Sequence, residues 1–307
     1  MPSYLRLHQR GELKKRAAQA LRELQDCQLC PRQCRVDRLM DNTGFCRTGR
    51  YARISGHELH FGEETPLVGP DRPGGPGGSG TIFFMQCPLA CEFCQNWRVS
   101  HGHKCSYRGT EVSADTLAGI MVKLQRRGAA NINFVTPTHV VPQILEALVI
   151  AADSGLRIPL VYNTGSYDSP ETIELLRDIV DIYLPDLKFH DPEAARAYTM
   201  AEDYPEVARK AVRDMHSQVG DLQLDDRNMA QRGLLVRHLV MPGEIAGTRP
   251  WMRFLAGLST DTYVNIMGQY HPCGNAMNHP ALARNVTKKE VTQARQEALQ
   301  AGLTRLE

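Results

Sequence analysis

Apolar residues along this chain recur in two alternating rhythms from residue 81 onward. Short apolar runs at Thr81–Gln86, Asn131–Val135, Ile158–Tyr162, Ile179–Leu184, Leu234–Val240 and Thr262–Met267 read as strands. Helical patterns stand between them. Ser113 is placed to cap a helix that carries Leu117, Ile120, Met121 and Leu124 on one face and stops at Gly128. Pro142–Ser154 puts Ile144, Leu145, Leu148 and Ala152 on one face, with Gly155 beyond its end. Ser169-Pro170 suits a helix start. Pro192–Met200, Pro205–Val219 and Thr248–Leu258 complete the interior set, and Thr287 with Glu290 makes a capping box for a last helix reaching Gln300. Residues 221–232 read as a polar loop. Six strand–helix units with almost no hairpin signals predict parallel strands joined by helices, in an α/β fold of the incomplete-barrel kind.

The first eighty residues are organised differently. Leu13, Ala17, Leu21 and Leu24 share one face of a short amphipathic helix over Gly11–Gln25. A short strand is expected at Tyr51–Ser55, and residues 69–80 form a Pro/Gly-rich loop without apolar periodicity. The expected division is a helix and cysteine-rich extension at 1–56, a connector at 57–79 and the main domain at 80–307.

Cysteine spacing changes the picture most. Cys87, Cys91 and Cys94 stand at C-x3-C-x2-C directly after the first apolar run. Soft thiolates suit zinc, copper or iron–sulfur clusters. A closed structural site takes four ligands, so three in one loop suggest a metal centre with one position open. Cys27, Cys30, Cys34 and Cys46 can close a tetrathiolate site in the extension, and the spacing suits zinc and iron–sulfur equally. Cys105 and Cys273 read as small packed residues, with a hydrogen-donor or redox role for Cys273 as the sharper reading.

Composition excludes more than it selects. The chain has 307 residues, 42% of them hydrophobic, and a net charge of +2. That balance gives no global pull toward nucleic acid or membrane. The first fifty residues hold 11 Lys and Arg against 5 Asp and Glu, a net of +6. Tyr4, Phe45 and Tyr51 are too sparse among them for a base-stacking surface, so no nucleic-acid partner is expected. No apolar run reaches 18 residues, and Met1–Arg22 lacks the apolar core of a secretory signal. Grouped cysteines fit metal sites in a reducing cytoplasm.

Cys87-x3-Cys91-x2-Cys94, with Phe93 before the last cysteine, resembles the signature of radical S-adenosylmethionine (radical SAM) enzymes. The likeness extends to the homologues of pyruvate formate-lyase activating enzyme. It is carried by Gly80-Thr81, Cys94-Gln95-Asn96, Val135 to His139, Tyr162-Asn163-Thr164, Asp186-Leu187-Lys188 and Tyr263-Val264-Asn265, from about Cys27 to His271. The resemblance implies a partial (β/α)6 TIM-like barrel of the radical SAM type. It implies a [4Fe-4S] cluster on Cys87, Cys91 and Cys94 and S-adenosylmethionine on its open iron.

Polar residues gather at the expected carboxyl ends of the strands, where ligands bind in such folds. Thr136 and Thr138 follow the second strand, and Asn163 the third. By resemblance, Asp186 and Lys188 help hold S-adenosylmethionine, His271 belongs to a Tyr-His pair near adenosine, and Val240 gives a backbone contact to adenine. Activating enzymes carry Gly-Gly-Glu after the second strand, where this chain has Thr136-Pro137-Thr138. The resemblance implies reductive cleavage of the cofactor and hydrogen abstraction, with an electron donor such as flavodoxin or ferredoxin. The acceptor is a glycyl residue of a partner enzyme, a small molecule or a peptide. The rival reading is a non-catalytic iron–sulfur or zinc module for electron transfer.

Overall fold

The computed structural model describes residues 1–69 and 77–307. Nine strands make one sheet: β1 (Ala52–His60), β2 (Ser79–Phe84), β3 (Thr110–Val112), β4 (Ile132–Val135), β5 (Leu160–Thr164), β6 (Ile182–Leu187), β7 (Gln223–Leu224), β8 (Ala230–Leu239) and β9 (Tyr263–Met267). The six expected strands are β2, β4, β5, β6, β8 and β9. They pair in that order and all in parallel, with Ile82 opposite Phe134, Phe134 opposite Tyr162, Tyr162 opposite Tyr183, Tyr183 opposite Leu234 and Val236 opposite Val264. No pairing joins β2 to β9 among the described residues, so the wall is a partial barrel.

Helices Ala114–Arg126, Val141–Asp153, Pro170–Leu175, Pro192–Thr199, Tyr204–Val219, Thr248–Leu258 and Lys288–Gln300 fill the crossovers and the end of the chain. Their signals act as expected in two places. The Ser113 hydroxyl accepts from Thr116 N–H, and Thr287 and Glu290 close a reciprocal capping box. Ser169 does not cap its helix. Its hydroxyl donates instead to the carbonyl of Leu29 at 3.0 Å, tying the cysteine-rich extension to the barrel.

Strand side chains alternate between two environments, as the pleat requires. Leu160, Tyr162, Tyr183, Leu234 and Val236 pack in the large core that includes the helices. Val161, Ile182, Leu184 and Leu235 face the other way and enclose Leu67. Leu67 belongs to a one-turn helix, Thr65–Val68, whose carbonyl at Leu67 accepts from Asn131 Nδ2 at 2.8 Å. The short helix with Leu67 therefore plugs the inside of the sheet.

Several expectations need correction. Residues 57–79 are not a connector throughout, because β1 runs to His60 and pairs antiparallel with both β2 and β3. Its half-exposed pattern, with His57, Glu58 and His60, hides the strand rhythm. Residues 70–76 of the glycine-rich loop, with Gly74 and Gly75, lie outside the described residues. Residues 221–232 are not all loop, since β7 folds back on β8 as a hairpin. A helix at Ser3–Gln9, buried through Tyr4, Leu5 and Leu7, precedes the expected one. The chain's other end also joins the sheet. Val264 N–H donates to Arg305 O and Glu307 N–H to Val264 O, both at 3.0 Å, so residues 305–307 run along the outer edge of β9.

Candidate active site

The strand face that packs around Leu67 turns polar toward the carboxyl ends. Two residues past Val161 comes Asn163, two past Leu184 comes Asp186, and two past Leu235 comes Arg237. Asn265 follows Tyr263 in the same way. These four side chains line a cavity of about 320 Å³, together with Thr136, Lys188, Glu63, Glu64, Cys87, Cys91 and Cys94.

The cysteine loop follows β2 and is fixed from several sides. Gln86 and Ala90 take left-handed backbone angles of 72° and 47°. Leu89 N–H points at Cys87 Sγ at 3.4 Å, and Cys94 N–H donates to Cys91 O at 3.2 Å. Glu92 ties the loop outward: its N–H donates to Tyr198 O, and its carbonyl and carboxylate accept from Asn275 at 2.8 and 2.6 Å. Phe93 is buried edge-on against Phe189, centroids 5.5 Å apart. Burial pushes the Cys87 thiol up to about 11 and raises Cys91 and Cys94 as well. The free thiols hold their protons at neutral pH, so a metal binds here by displacing them.

Lining the same cavity as the cysteines are two largely enclosed charge groups. Lys188 Nζ bonds Asp186 Oδ2 at 2.7 Å. Burial alone disfavours the ammonium, but Asp186, Cys91 and Tyr204 together outweigh it and leave the Lys188 pKa raised. Tyr204 locks the pair's backbone by accepting from Lys188 N–H and donating to Asp186 O, each at 3.0 Å. Arg237 forks onto Glu64 at 2.6 and 2.7 Å and also binds Glu63, while Asn265 Nδ2 donates to Glu64 at 2.9 Å. Burial opposes the Arg237 charge, and Glu64 followed by Glu63 restores it and raises its pKa.

The sequence that builds this site matches a named family. Residues 81–244 match the radical SAM superfamily. The chain belongs to that superfamily. A curated relative, an uncharacterized protein of Methanocaldococcus jannaschii, is 30% identical over 280 residues, which cover 88% of this chain and 73% of that protein. The solved structure of a radical SAM methyltransferase from Sphaerobacter thermophilus aligns at a TM-score of 0.49 with 14% identity, over 75% of this chain and 65% of that one.

The superfamily implies a [4Fe-4S] cluster and S-adenosylmethionine. The residues present fit both. The thiols of one loop, Cys91 buried and Cys87 and Cys94 half-buried, line the cavity together. Soft thiolates of this kind are the ligands an iron–sulfur cluster takes. Beside the thiols, the Lys188 ammonium can meet a carboxylate, and Asn163 and Asp186 offer acceptors.

The other expected contacts stand off the cavity wall. Thr138 donates to Asp168 Oδ1 at 2.7 Å within a buried network that includes Tyr162 and Thr164. Burial holds the Asp168 pKa up against those three donors. Val240 is buried, its N–H bonded to Met267 O at 3.0 Å. His271 is exposed, with Nδ1 3.2 Å from Gln269 O. Sequence reasoning missed Glu63 and Glu64 altogether. Adjacent acids in an apparent connector carry no periodic signal, and their partners lie more than 170 positions away. No helix among the described residues is long and apolar enough to cross a membrane.

Proposed function

We propose that Cys87, Cys91 and Cys94 hold the cluster, and that Thr136, Asn163, Asp186 and Lys188 hold S-adenosylmethionine beside it. Thr138, Val240 and His271 act one step further out, through the strand ends they shape. When bound, the cluster and S-adenosylmethionine together supply a 5′-deoxyadenosyl radical that abstracts hydrogen. The chain's own part is to orient the carboxylate on Lys188, accept amine or ribose protons at Asp186 and Asn163, and keep water out. A cytoplasmic flavodoxin or ferredoxin would supply the electron.

One observation carries this reading: the three thiols and the Asp186–Lys188 pair line one cavity. The Arg237–Glu63–Glu64 wall of the same cavity favours a small polar acceptor, molecule or peptide. The resemblance to activating enzymes favours a glycyl residue of a partner enzyme as the second reading. The N-terminal cysteines Cys27, Cys30, Cys34 and Cys46 are proposed to hold a second metal, zinc or iron–sulfur.

The test is anaerobic reconstitution, reduction with S-adenosylmethionine present, and chromatography for 5′-deoxyadenosine. Release by the wild type and none by Cys91→Ala supports the proposal. A fourth protein ligand on the cluster, or no nucleoside from fully loaded protein, refutes it.

A further inference from the structure

Away from the barrel cavity, Cys27, Cys30, Cys34 and Cys46 line one small pocket with Arg38 and His139. The chain folds tightly around the sulfurs. Gln33, Arg35 and Arg47 all take left-handed backbone angles of 41° to 52°. Phe45 N–H points at Cys34 Sγ at 3.3 Å. A Cβ on Gly44 would fall 2.6 Å from the same sulfur, so only glycine lets the backbone approach it.

Arg38 is the unusual group. It is 1% exposed. Its Nη1 reaches Cys27 Sγ at 3.7 Å and His139 O at 2.9 Å, and its Nε and Nη2 donate to Gly49 O at 3.2 and 3.1 Å. Among the described residues it has no carboxylate partner. A buried cation that meets only carbonyls and a thiol lacks its counter-charge, which proteins rarely tolerate.

Metal binding would supply that charge. Four thiols that take up a divalent ion release four protons and leave a dianion, and the same balance holds for a cluster core of charge 2+. We infer that Cys27, Cys30, Cys34 and Cys46 bind metal as a dianionic tetrathiolate, with Arg38 as its buried counter-cation. This deepens the second-metal reading and stands independently of what the Cys87 loop binds. A zinc ion and an iron–sulfur cluster share this chemistry, but a single ion would have to draw the sulfurs together, since among the described residues no three His, Cys, Asp or Glu side chains stand as a ready site for one.

The second site adjoins the first. Arg32, between Cys30 and Cys34, lies over the Phe45 ring at 4.0 Å and donates its Nε to Pro88 O at 3.0 Å, one residue past Cys87. His139, whose carbonyl holds Arg38, puts Nε2 2.9 Å from Met85 O, two residues before Cys87. Metal in the extension would thus brace the backbone on both sides of Cys87.

The test begins from a Cys87→Ala, Cys91→Ala, Cys94→Ala variant, purified without oxygen, which isolates the second site. Stoichiometric zinc, or iron with equimolar acid-labile sulfide, supports the inference and identifies the metal. Neither metal at stoichiometry overturns it. Adding Arg38→Met should lower metal affinity roughly tenfold or more in a chelator competition, with Arg38→Lys between the two. Unchanged affinity overturns the counter-cation role. If Arg38→Met does not accumulate, the same competition with Arg38→Lys decides, because a longer charge separation must still weaken retention.

Discussion

Replacing Arg237 with methionine isolates the energetics of the cavity's charged wall. In the wild type the guanidinium forks onto Glu64 and also binds Glu63, whose side chains are 1% and 6% exposed. In Arg237→Met, Glu64 keeps only the Asn265 amide, and both carboxylates stay buried without a cation. Removing one partner of a buried pair costs about 3–5 kcal/mol, a large share of the roughly 5–15 kcal/mol that holds a domain together. Urea denaturation followed by far-UV circular dichroism at pH 7 measures this. The deficit relative to wild type should be several kcal/mol. Adding Glu63→Gln and Glu64→Gln, which removes the stranded charges, should recover most of it. A deficit below about 1 kcal/mol, the size of an exposed pair, would refute the reasoning.

Further expectations concern the cofactor side and the fold. Lys188→Met should weaken S-adenosylmethionine binding at least roughly tenfold, by loss of a charge-assisted contact, while iron content stays at the wild-type level. Equilibrium dialysis and iron analysis on one preparation check both. Gly80→Ala places a Cβ 2.7 Å from Asn131 O and 2.9 Å from Ala129 Cβ, so the urea midpoint should fall by the equivalent of about 1–3 kcal/mol. Burial lowers His139 and His238 to about 4 from 6.5. Each adds stability that is complete above pH 6.5 and lost as pH falls toward 4, on the order of 3 kcal/mol apiece. A His238→Gln variant should show a shallower fall over that range, and an identical slope would count against the assignment.

The parallel direction of the six strands was legible because each is a mainly apolar run separated from the next by a helical pattern. Local signals of that kind survive folding, as Ser113 and Thr287 show. The three-cysteine loop and the Asp186–Lys188 pair were legible for the same reason, since loop and pair each lie within a few residues of sequence. What escaped was long-range. Arg237 lies within the expected fifth strand, but nothing local linked it to Glu63 and Glu64 across more than 170 residues. β1 escaped because one of its faces is polar and half exposed. Thr138 read as a cavity residue by its place after β4, yet a neighbouring buried acid, Asp168, claims its hydroxyl. Strand-end position narrows the choice of ligand contacts without deciding which way a side chain turns.

The seam along β9 limits how an acceptor can arrive. Residues 305–307 already occupy that strand's outer hydrogen bonds, and Glu307 reaches on to Thr65 N–H at 3.1 Å, at the start of the plug. An extended polypeptide has no ladder to join there, and β3 offers only three residues at the opposite edge. Strand addition at these edges is therefore closed or confined to three residues, and recognition of any ligand falls to the side chains at the strand ends.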